Sequence, residues 1–304
     1  MSNNFPVQGL RGRLTANAPL GARAWFRTGG PADWLFVPED ADDLADLLRN
    51  RPVDMPLTVL GACSNVIIRD GGIEGVVVRL ARGFSDIEVQ TDGLVVGAAA
   101  LDVTVAEHSA AAGLAGLEFL VGIPGSIGGA VRMNAGAYGS DINAVLDWAD
   151  ILTSDGELRR LTCEELGFAY RHSALPEGAI VIRARLRGTP DAPDAIRERL
   201  AEIRASREAS QPVRARTGGS TFRNPEGHKA WALIDEAGCR GLTLGGAQVS
   251  EKHCNFLLNI GDANSEQLET LGETVRKKVL DRSGIDLHWE IRRIGRRDVG
   301  EKTV

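Results

Sequence analysis

Apolar residues recur along this chain in two rhythms, every second position and every third or fourth, and the two alternate over most of its length. From Ala32 the pattern predicts a strand over Trp34–Val37, a helix over Ala41–Leu48, and strands over Leu57–Leu60, Val66–Ile68 and Val76–Leu80, with a turn at Asp70-Gly71-Gly72. Two hairpins follow. Ile87 and Val89 face Leu94-Val95-Val96 across Thr91-Asp92-Gly93, and Trp148–Thr153 face Leu158–Leu161 across Asp155-Gly156, because Asp-Gly supplies the positive φ that primed turns need. Between the hairpins Asp102–Ala112 reads as an Ala-rich helix ended by Gly113. The least periodic and most Gly-rich stretch, Gly116–Asp141, comes next.

A Pro-containing joint at Thr189–Pro193 leads into a charged helix, Ala195–Ser206, and is the best candidate for a domain boundary. Beyond it the chain predicts a helix over Ala230–Ala237 stopped by Gly238, a β-rich Gly245–Asn259, and a helix from Asn264 or Ser265 to about Arg282. Leu268, Leu271, Val275 and Val279 form one apolar stripe on that last helix, read as core. His288–Gly295 alternates as a strand should, placing His288, Glu290 and Arg292 on one face. The polar ends, Met1–Leu14 and Arg296–Val304, are expected to fray. The fold class is α+β, with one domain over 1–190, in lobes of about 1–80 and 81–190, and a second over 191–304.

Composition narrows the function. With 304 residues, 25% charged and 43% hydrophobic, the chain is globular and long enough for two domains around one cleft. A net charge of −6 provides no basic field for nucleic acid or an anionic membrane. The four cysteines, Cys63, Cys163, Cys239 and Cys254, form no C-x-x-C pair, and no histidine stands at metal-ligand spacing, so neither zinc nor a disulfide frame is indicated. The start lacks a signal-peptide core and no run of about 18 apolar residues occurs. A cytoplasmic, metal-free protein with no evident protein partner is expected, and it is expected to be a monomer.

Two loops could carry chemistry. Gly61-Ala62-Cys63-Ser64-Asn65 joins two predicted strands; Gly122-Ile123-Pro124-Gly125-Ser126-Ile127-Gly128-Gly129 is followed by Asn134-Ala135. Neither is a Rossmann fingerprint or a Walker loop. Residues this small let backbone N–H groups approach a ligand, and several amides aimed one way suit a diphosphate, although each loop alone reads more often as a tight connection, and it is the presence of two that favours a binding role.

FRTGGPADWLFVP, VLGACSNVIIRDGGIEGVVVRL, GLEFLVGIPGSIGGAVRMNAGAYG, YRHS, GGSTFRNPEGHKAWALIDEAG, LGGAQVSEKHCNFLLN and HWEIRRIG, in this order from about Leu20 to Gly295, resemble the UDP-N-acetylenolpyruvoylglucosamine reductase (MurB) family. The resemblance implies non-covalent FAD in a domain of the vanillyl-alcohol-oxidase-like (PCMH) type and NADPH as hydride donor. It implies reduction of an enolpyruvyl ether to a lactyl ether on UDP-N-acetylglucosamine. The family's flavin loops fall on Gly61, Ala62, Cys63, Ser64 and Asn65, and on Gly122, Pro124, Gly125, Ser126, Gly128, Gly129, Asn134 and Ala135. Its active-site arginine falls on Arg171, its serine proton donor on Ser220 and its glutamate on Glu290; substrate contacts carry over to Asn224, His253 and Arg292. In the first loop members commonly show G-G-G-S-N, so Ala62 and Cys63 depart from the pattern and raise the question of positive φ there. The short stretch after Arg171 leaves no room for a long tyrosine-bearing loop, which points to the family's shorter, second type.

Taken singly, those residues are ambiguous. Arg171 offers a planar fork that can grip a carboxylate and neutralise an enolate, yet an isolated arginine also reads as half of a surface ion pair. A serine among glycines is commonly a turn former, and Glu290 alone reads as one side of a cross-strand pair. Two rivals stay open: another FAD enzyme of this scaffold, such as an alcohol or sugar oxidase, and a non-catalytic nucleotide-sugar or flavin-binding module.

Overall fold

Among residues 5–298, which the computed structural model describes, short strands alternate with seven α-helices in the expected α+β arrangement. The helices are α1 (Ala41–Asn50), α2 (Asp102–Ala111), α3 (Ile127–Met133), α4 (Ile142–Val145), α5 (Pro193–Ser210), α6 (Ala230–Glu236) and α7 (Ser265–Ser283). The chain packs as two compact units: Met1–Ala16, Leu35–Ala62 and Val76–Arg207 make the first, and Asn17–Trp34, Cys63–Gly75 and Glu208–Val304 the second. None of the helices is long and apolar enough to cross a membrane.

The first unit centres on a five-stranded antiparallel sheet in the order Leu158–Thr162, Leu146–Leu152, Ile180–Arg187, Gly93–Gly97, Ile87–Gln90. One face buries Leu94, Val96, Ala149, Ile151, Ala184 and Leu186 in a core shared with Val105 and Ala106 of α2 and Val131 of α3. Both predicted hairpins form, by different means. Gly156 takes φ 78°, the conformation the turn requires. Gly93 does not: it is already in its strand, opposite Gln90, and is glycine because a Cβ there would lie 2.2 Å from the Leu186 carbonyl oxygen. On the opposite side of the sheet, Asp150 is 3% exposed and receives Arg160 (2.7 and 3.0 Å) and Arg183 (2.6 Å), with the Arg160 guanidinium 3.6 Å from the Trp148 ring centroid.

The expected fraying of Met1–Leu14 does not extend to Phe5–Leu14. Phe5 and Val7 are buried, and Asp43 of α1, itself buried, accepts the backbone N–H groups of Arg11 (2.8 Å) and Gly12 (2.9 Å). A strand begins at Arg13. At the other end Arg296 is pinned, its N–H on the Gly72 carbonyl (2.8 Å) and its guanidinium on Asp33 (2.6 Å). Residues 1–4 and 299–304 lie outside the described residues.

The second unit holds a four-stranded antiparallel sheet, Arg216–Ser220, Phe256–Asn259, Ala247–Val249, Thr243–Leu244, with α7 against it and α6 packed on α7. The Asn264 side chain accepts the Gln267 N–H (2.9 Å) to open α7, and Gly284 closes it at φ 73°. Leu268, Leu271, Val275 and Val279 are buried, as the stripe predicts. Residues early in the chain complete this unit: Val66–Ile68 pairs in parallel with Arg292–Ile294, Arg69 grips Glu269 through two bonds (2.7 and 3.1 Å), and the Ser265 N–H bonds to Asp70 (2.8 Å). Packing therefore groups residues from both sides of position 190.

The strand expected over His288–Gly295 is shorter, Arg292–Ile294. The segment changes partner midway: the N–H groups of Glu290 and Ile291 point to the Thr221 carbonyl (2.8 and 3.4 Å), while that of Arg292 turns to the Asn65 carbonyl (3.1 Å). No continuous strand face carries His288, Glu290 and Arg292.

Candidate active site

In the first unit the Gly-rich loop is stitched to the segment before α2. Asp102 N–H donates to the Gly125 carbonyl (3.2 Å), Ile127 N–H to Ala100 (3.0 Å) and Gly128 N–H to Ala98 (2.8 Å). Close approach explains most of its glycines. A Cβ at Gly122 would lie 2.5 Å from the Tyr138 ring, at Gly125 2.6 Å from the Asp102 carboxyl, and at Gly128 3.0 Å from Ala98; Gly61 would meet the Ser126 hydroxyl at 2.8 Å. Gly129 has no such reason. Its Cβ would find nothing within 4 Å, and it has no positive φ. The chain itself makes no demand for glycine there, and bare backbone at that point fits the close approach of a flat prosthetic group.

Asn134 turns the chain at φ 42°, and its side chain is committed within the protein. Its amide nitrogen donates to Asp141 (3.2 Å) and to the Ala169 carbonyl (3.1 Å), and its oxygen accepts the Asn143 N–H (3.0 Å). The neighbouring Ala135 N–H closes on the Ala130 carbonyl (2.9 Å). Asn134 and Ala135 therefore shape the loop's exit.

Arg171 sits at the tip of a tight turn whose ends, Ala169 and His172, exchange backbone bonds of 3.1 and 3.0 Å. Ser173 anchors the turn by donating to the Arg132 carbonyl (2.8 Å). Arg171 itself holds φ 55°, a left-handed conformation costly for a side chain with a Cβ and concentrated at functional sites. Its guanidinium donates to the Gly136 carbonyl (2.8 Å), next to the Gly-rich loop, and lies 5.0 Å from the Tyr170 ring.

In the second unit, Cys63 carries the single positive φ of its loop, 55°, and is buried; Ala62 does not need one. The departure from G-G-G-S-N is thus accommodated by cysteine in a left-handed conformation. Asn65 donates from its amide to the Glu290 carbonyl (3.2 Å) and accepts the Arg292 N–H. Ser220 ends a strand broken by Gly219 at φ 78°, and Gly218 is packed so closely that a Cβ would lie 2.5 Å from the Phe26 ring. Thr221 is the hub: its N–H donates to the Asn255 carbonyl (2.7 Å), its hydroxyl accepts the Leu257 N–H (3.2 Å), and its carbonyl accepts Glu290.

Asn65, Ser220, Glu290 and Arg292 are therefore brought together by backbone pairing. Phe256 adds His253, since it is the ladder partner of Ser220 and its ring meets the imidazole at 4.8 Å. The buried His253 Nδ1 has no hydrogen-bond partner among the described residues, and burial holds the imidazole below its ordinary pKa. Asn224 is exposed and its side-chain oxygen accepts the Ala230 N–H (3.0 Å), so it starts α6. Among the described residues no three potential ligands cluster to hold a metal ion, and all four cysteines are free thiols.

Two further groups lie outside every motif of the sequence. Asp102 is 0% exposed with both carboxyl oxygens unpartnered among the described residues, and burial pushes its pKa well above the ordinary 3.8. Glu273 of α7, treated only as part of a helix, accepts from the Trp289 indole (2.8 Å), Arg293 (2.8 Å) and Arg276 (2.7 Å). Nothing local marks either role.

Residues 32–162 match the model of an FAD binding domain, and residues 211–294 that of the C-terminal domain of UDP-N-acetylenolpyruvoylglucosamine reductase. The UDP-N-acetylenolpyruvoylglucosamine reductase of Gluconobacter oxydans is 80% identical over 303 residues, covering 100% of this chain and 99% of that protein. Its namesake in Acidiphilium cryptum is 64% identical over 286 residues, 94% of this chain and 93% of that one. The crystal structure of UDP-N-acetylenolpyruvylglucosamine reductase (MurB) from Thermus caldophilus superposes with a TM-score of 0.82 at 35% identity, over 94% of this chain and 100% of that chain.

Proposed function

From the membership of this chain in the UDP-N-acetylenolpyruvoylglucosamine reductase family, we infer that it is an FAD-containing oxidoreductase reducing the enolpyruvyl ether of UDP-N-acetylglucosamine in peptidoglycan precursor synthesis. The observation that carries this reading is 80% identity sustained over the whole chain. The binding loops fit the cofactor, because Gly129 leaves backbone bare where nothing in the protein requires it. Bound FAD supplies a redox centre that can take up and pass on a hydride.

We assign NADPH as the hydride source and the cytoplasm, where nucleotide sugars and NADPH are pooled, as the compartment. The flavin is held without a covalent bond by the backbone of Gly61–Asn65 and Gly122–Gly129, with Asn134 and Ala135 shaping the second loop. By role, 1–190 serves the flavin and 191–304 the substrate.

The reacting alkene carries a carboxylate, and a nucleophilic hydride adds to its terminal carbon only as charge is drawn toward that carboxylate. Arg171 draws it, by gripping the carboxylate with two parallel N–H donors and holding the negative charge as it builds. Glu290 acts with Arg171 in polarising that carboxylate. Ser220 then delivers its hydroxyl proton to the adjacent carbon. Asn224, His253 and Arg292 contact the nucleotide sugar.

The purified protein should absorb at flavin wavelengths, bleach with NADPH under argon and recover on adding the enolpyruvyl nucleotide. Recovery with oxygen and none with the nucleotide would instead place it among the oxidases. A colourless protein that stays so after FAD is added would leave a binding module.

A further inference from the structure

Glu273 and Trp289 stand outside every role assigned so far, and the bonds around them converge on the two backbone segments that carry Ser220 and Glu290. Trp289 precedes Glu290, and its indole is held from three directions. Its N–H donates to Glu273 (2.8 Å); its ring meets that of Phe222, two residues beyond Ser220, at a tilt with 5.1 Å between centroids; and Arg293 lies over it at 4.5 Å. The ring fits so tightly on α7 that a Cβ at Gly272 would come within 2.2 Å of it.

Glu273 is fixed in turn. Arg276, which also donates to the Leu287 carbonyl (2.7 Å) and to Asp286 (2.8 Å), and Arg293 both bind its carboxylate, and against the upward push of burial the indole and Arg276 hold its pKa below the ordinary range. The two segments meet where Phe222 and Trp289 form an isolated bridge, flanked by Arg223 N–H on the His288 carbonyl (2.8 Å) and Glu290 N–H on the Thr221 carbonyl (2.8 Å).

We propose that Glu273 and Trp289 are positioning residues for the reaction: the indole, seated on α7 and locked by Glu273, fixes the register between the segment of Ser220 and the segment of Glu290. This rests on the reading of those two as the groups that act on substrate. A rigid clamp suits that task because small displacements of an acid from its acceptor cost large factors in rate.

The test is stopped-flow kinetics on the FAD-loaded enzyme. Glu273→Leu, which removes the acceptor, should slow flavin reoxidation by the enolpyruvyl nucleotide by about tenfold or more. It should leave KM for the nucleotide, FAD occupancy and the rate of flavin reduction by NADPH within about twofold of the parent. Glu273→Gln still accepts from the indole and should restore most of the rate. Should Glu273→Leu fail to fold, Trp289→Phe removes the N–H together with the outer edge of the ring seated on α7, and Gly272→Ala displaces the ring from a helix that alanine favours; both should show the same selective defect. Ser220→Ala and Glu290→Gln, run alongside, separate the two levels. If they leave reoxidation at the parental rate, the catalytic reading fails. If they slow it while the Glu273, Trp289 and Gly272 variants do not, or if those variants slow both half-reactions equally, the positioning role is refuted.

Discussion

Replacing Asp102 by asparagine isolates what burying an acid does to this protein. The side chain is 0% exposed, neither oxygen has a partner among the described residues, and its carboxyl lies against Gly125, so the folded state strongly favours the protonated form. The unfolded chain releases that proton near the ordinary 3.8. Because the folded-state pKa is raised, the folded protein binds more protons over the window between the two values, and stability falls as pH rises through it. The slope is about 1.4 kcal/mol per pH unit for one proton.

Asparagine has the same shape and does not titrate. The variant should match the parent to within about 1 kcal/mol near pH 4. It should then gain on it by about 1.4 kcal/mol per unit and stop gaining where the folded acid finally ionises. Urea midpoints followed by tryptophan fluorescence from pH 4.5 to 8.5, both proteins saturated with FAD, measure the difference directly, and other titrating groups cancel. Parallel curves would refute the reasoning. A parent that gains on the variant with rising pH would show a carboxylate ionised and well partnered in the fold.

Ser220→Ala should reduce its flavin with NADPH at near the parental rate and reoxidise it with the enolpyruvyl nucleotide roughly 10² to 10⁴ times more slowly; unchanged reoxidation in stopped flow would shift the proton to Glu290. Arg171→Lys should lose about 1.5–3 kcal/mol of transition-state stabilisation in that same oxidative step, because lysine cannot grip a carboxylate bidentately, and equal slowing of flavin reduction would assign Arg171 to the cofactor. Acid precipitation should release yellow flavin into the supernatant; colour that stays with the pellet in the parent and is absent from the pellet of Cys63→Ser would mean a thioether. Asp150→Asn should destabilise by about 1–3 kcal/mol, a figure kept low because Arg160 and Arg183 are half exposed. Burial raises the Asp150 pKa and the two arginines more than reverse it, so this contribution is present above the unfolded pKa and fades in the parent only as pH falls through the folded one; a thermal-shift series toward acid should show the two proteins converging.

Local pattern carried the reading where local forces decide. Leu57–Leu60 and Val66–Ile68 are apolar runs between breakers, and both strands end where the pattern says. Pro193 hid the true start of α5, although at the first helical position its missing N–H leaves no bond unmade. The strand predicted from Val76 begins at Ile73, because Gly75, at φ 75°, interrupts the apolar rhythm without ending the strand. His288–Gly295 alternates like a strand, yet Trp289 is claimed by Phe222 and α7, and the pairing partner changes after it. The candidate site divides along the same line. Arg171, Ser220 and Glu290 lie in short motifs whose order could be read. The isolation of Asp102 and the grip of Glu273 on Trp289, 16 positions away across the end of α7, are set by how the chain packs, and neither leaves a mark in the local pattern.

The parallel pairing of Val66–Ile68 with Arg292–Ile294 sets a timetable for synthesis. The partner of Val66–Ile68 is made more than 200 residues after it, so until then the strand offers an open edge to any neighbouring chain. Contacts this distant in sequence are slow to close, and the second unit can be completed only after Arg292–Ile294 has left the exit tunnel. Stalled nascent chains ending short of Arg292 should accordingly leave Cys63–Gly75 open to protease, while chains long enough to free Ile294 should protect it.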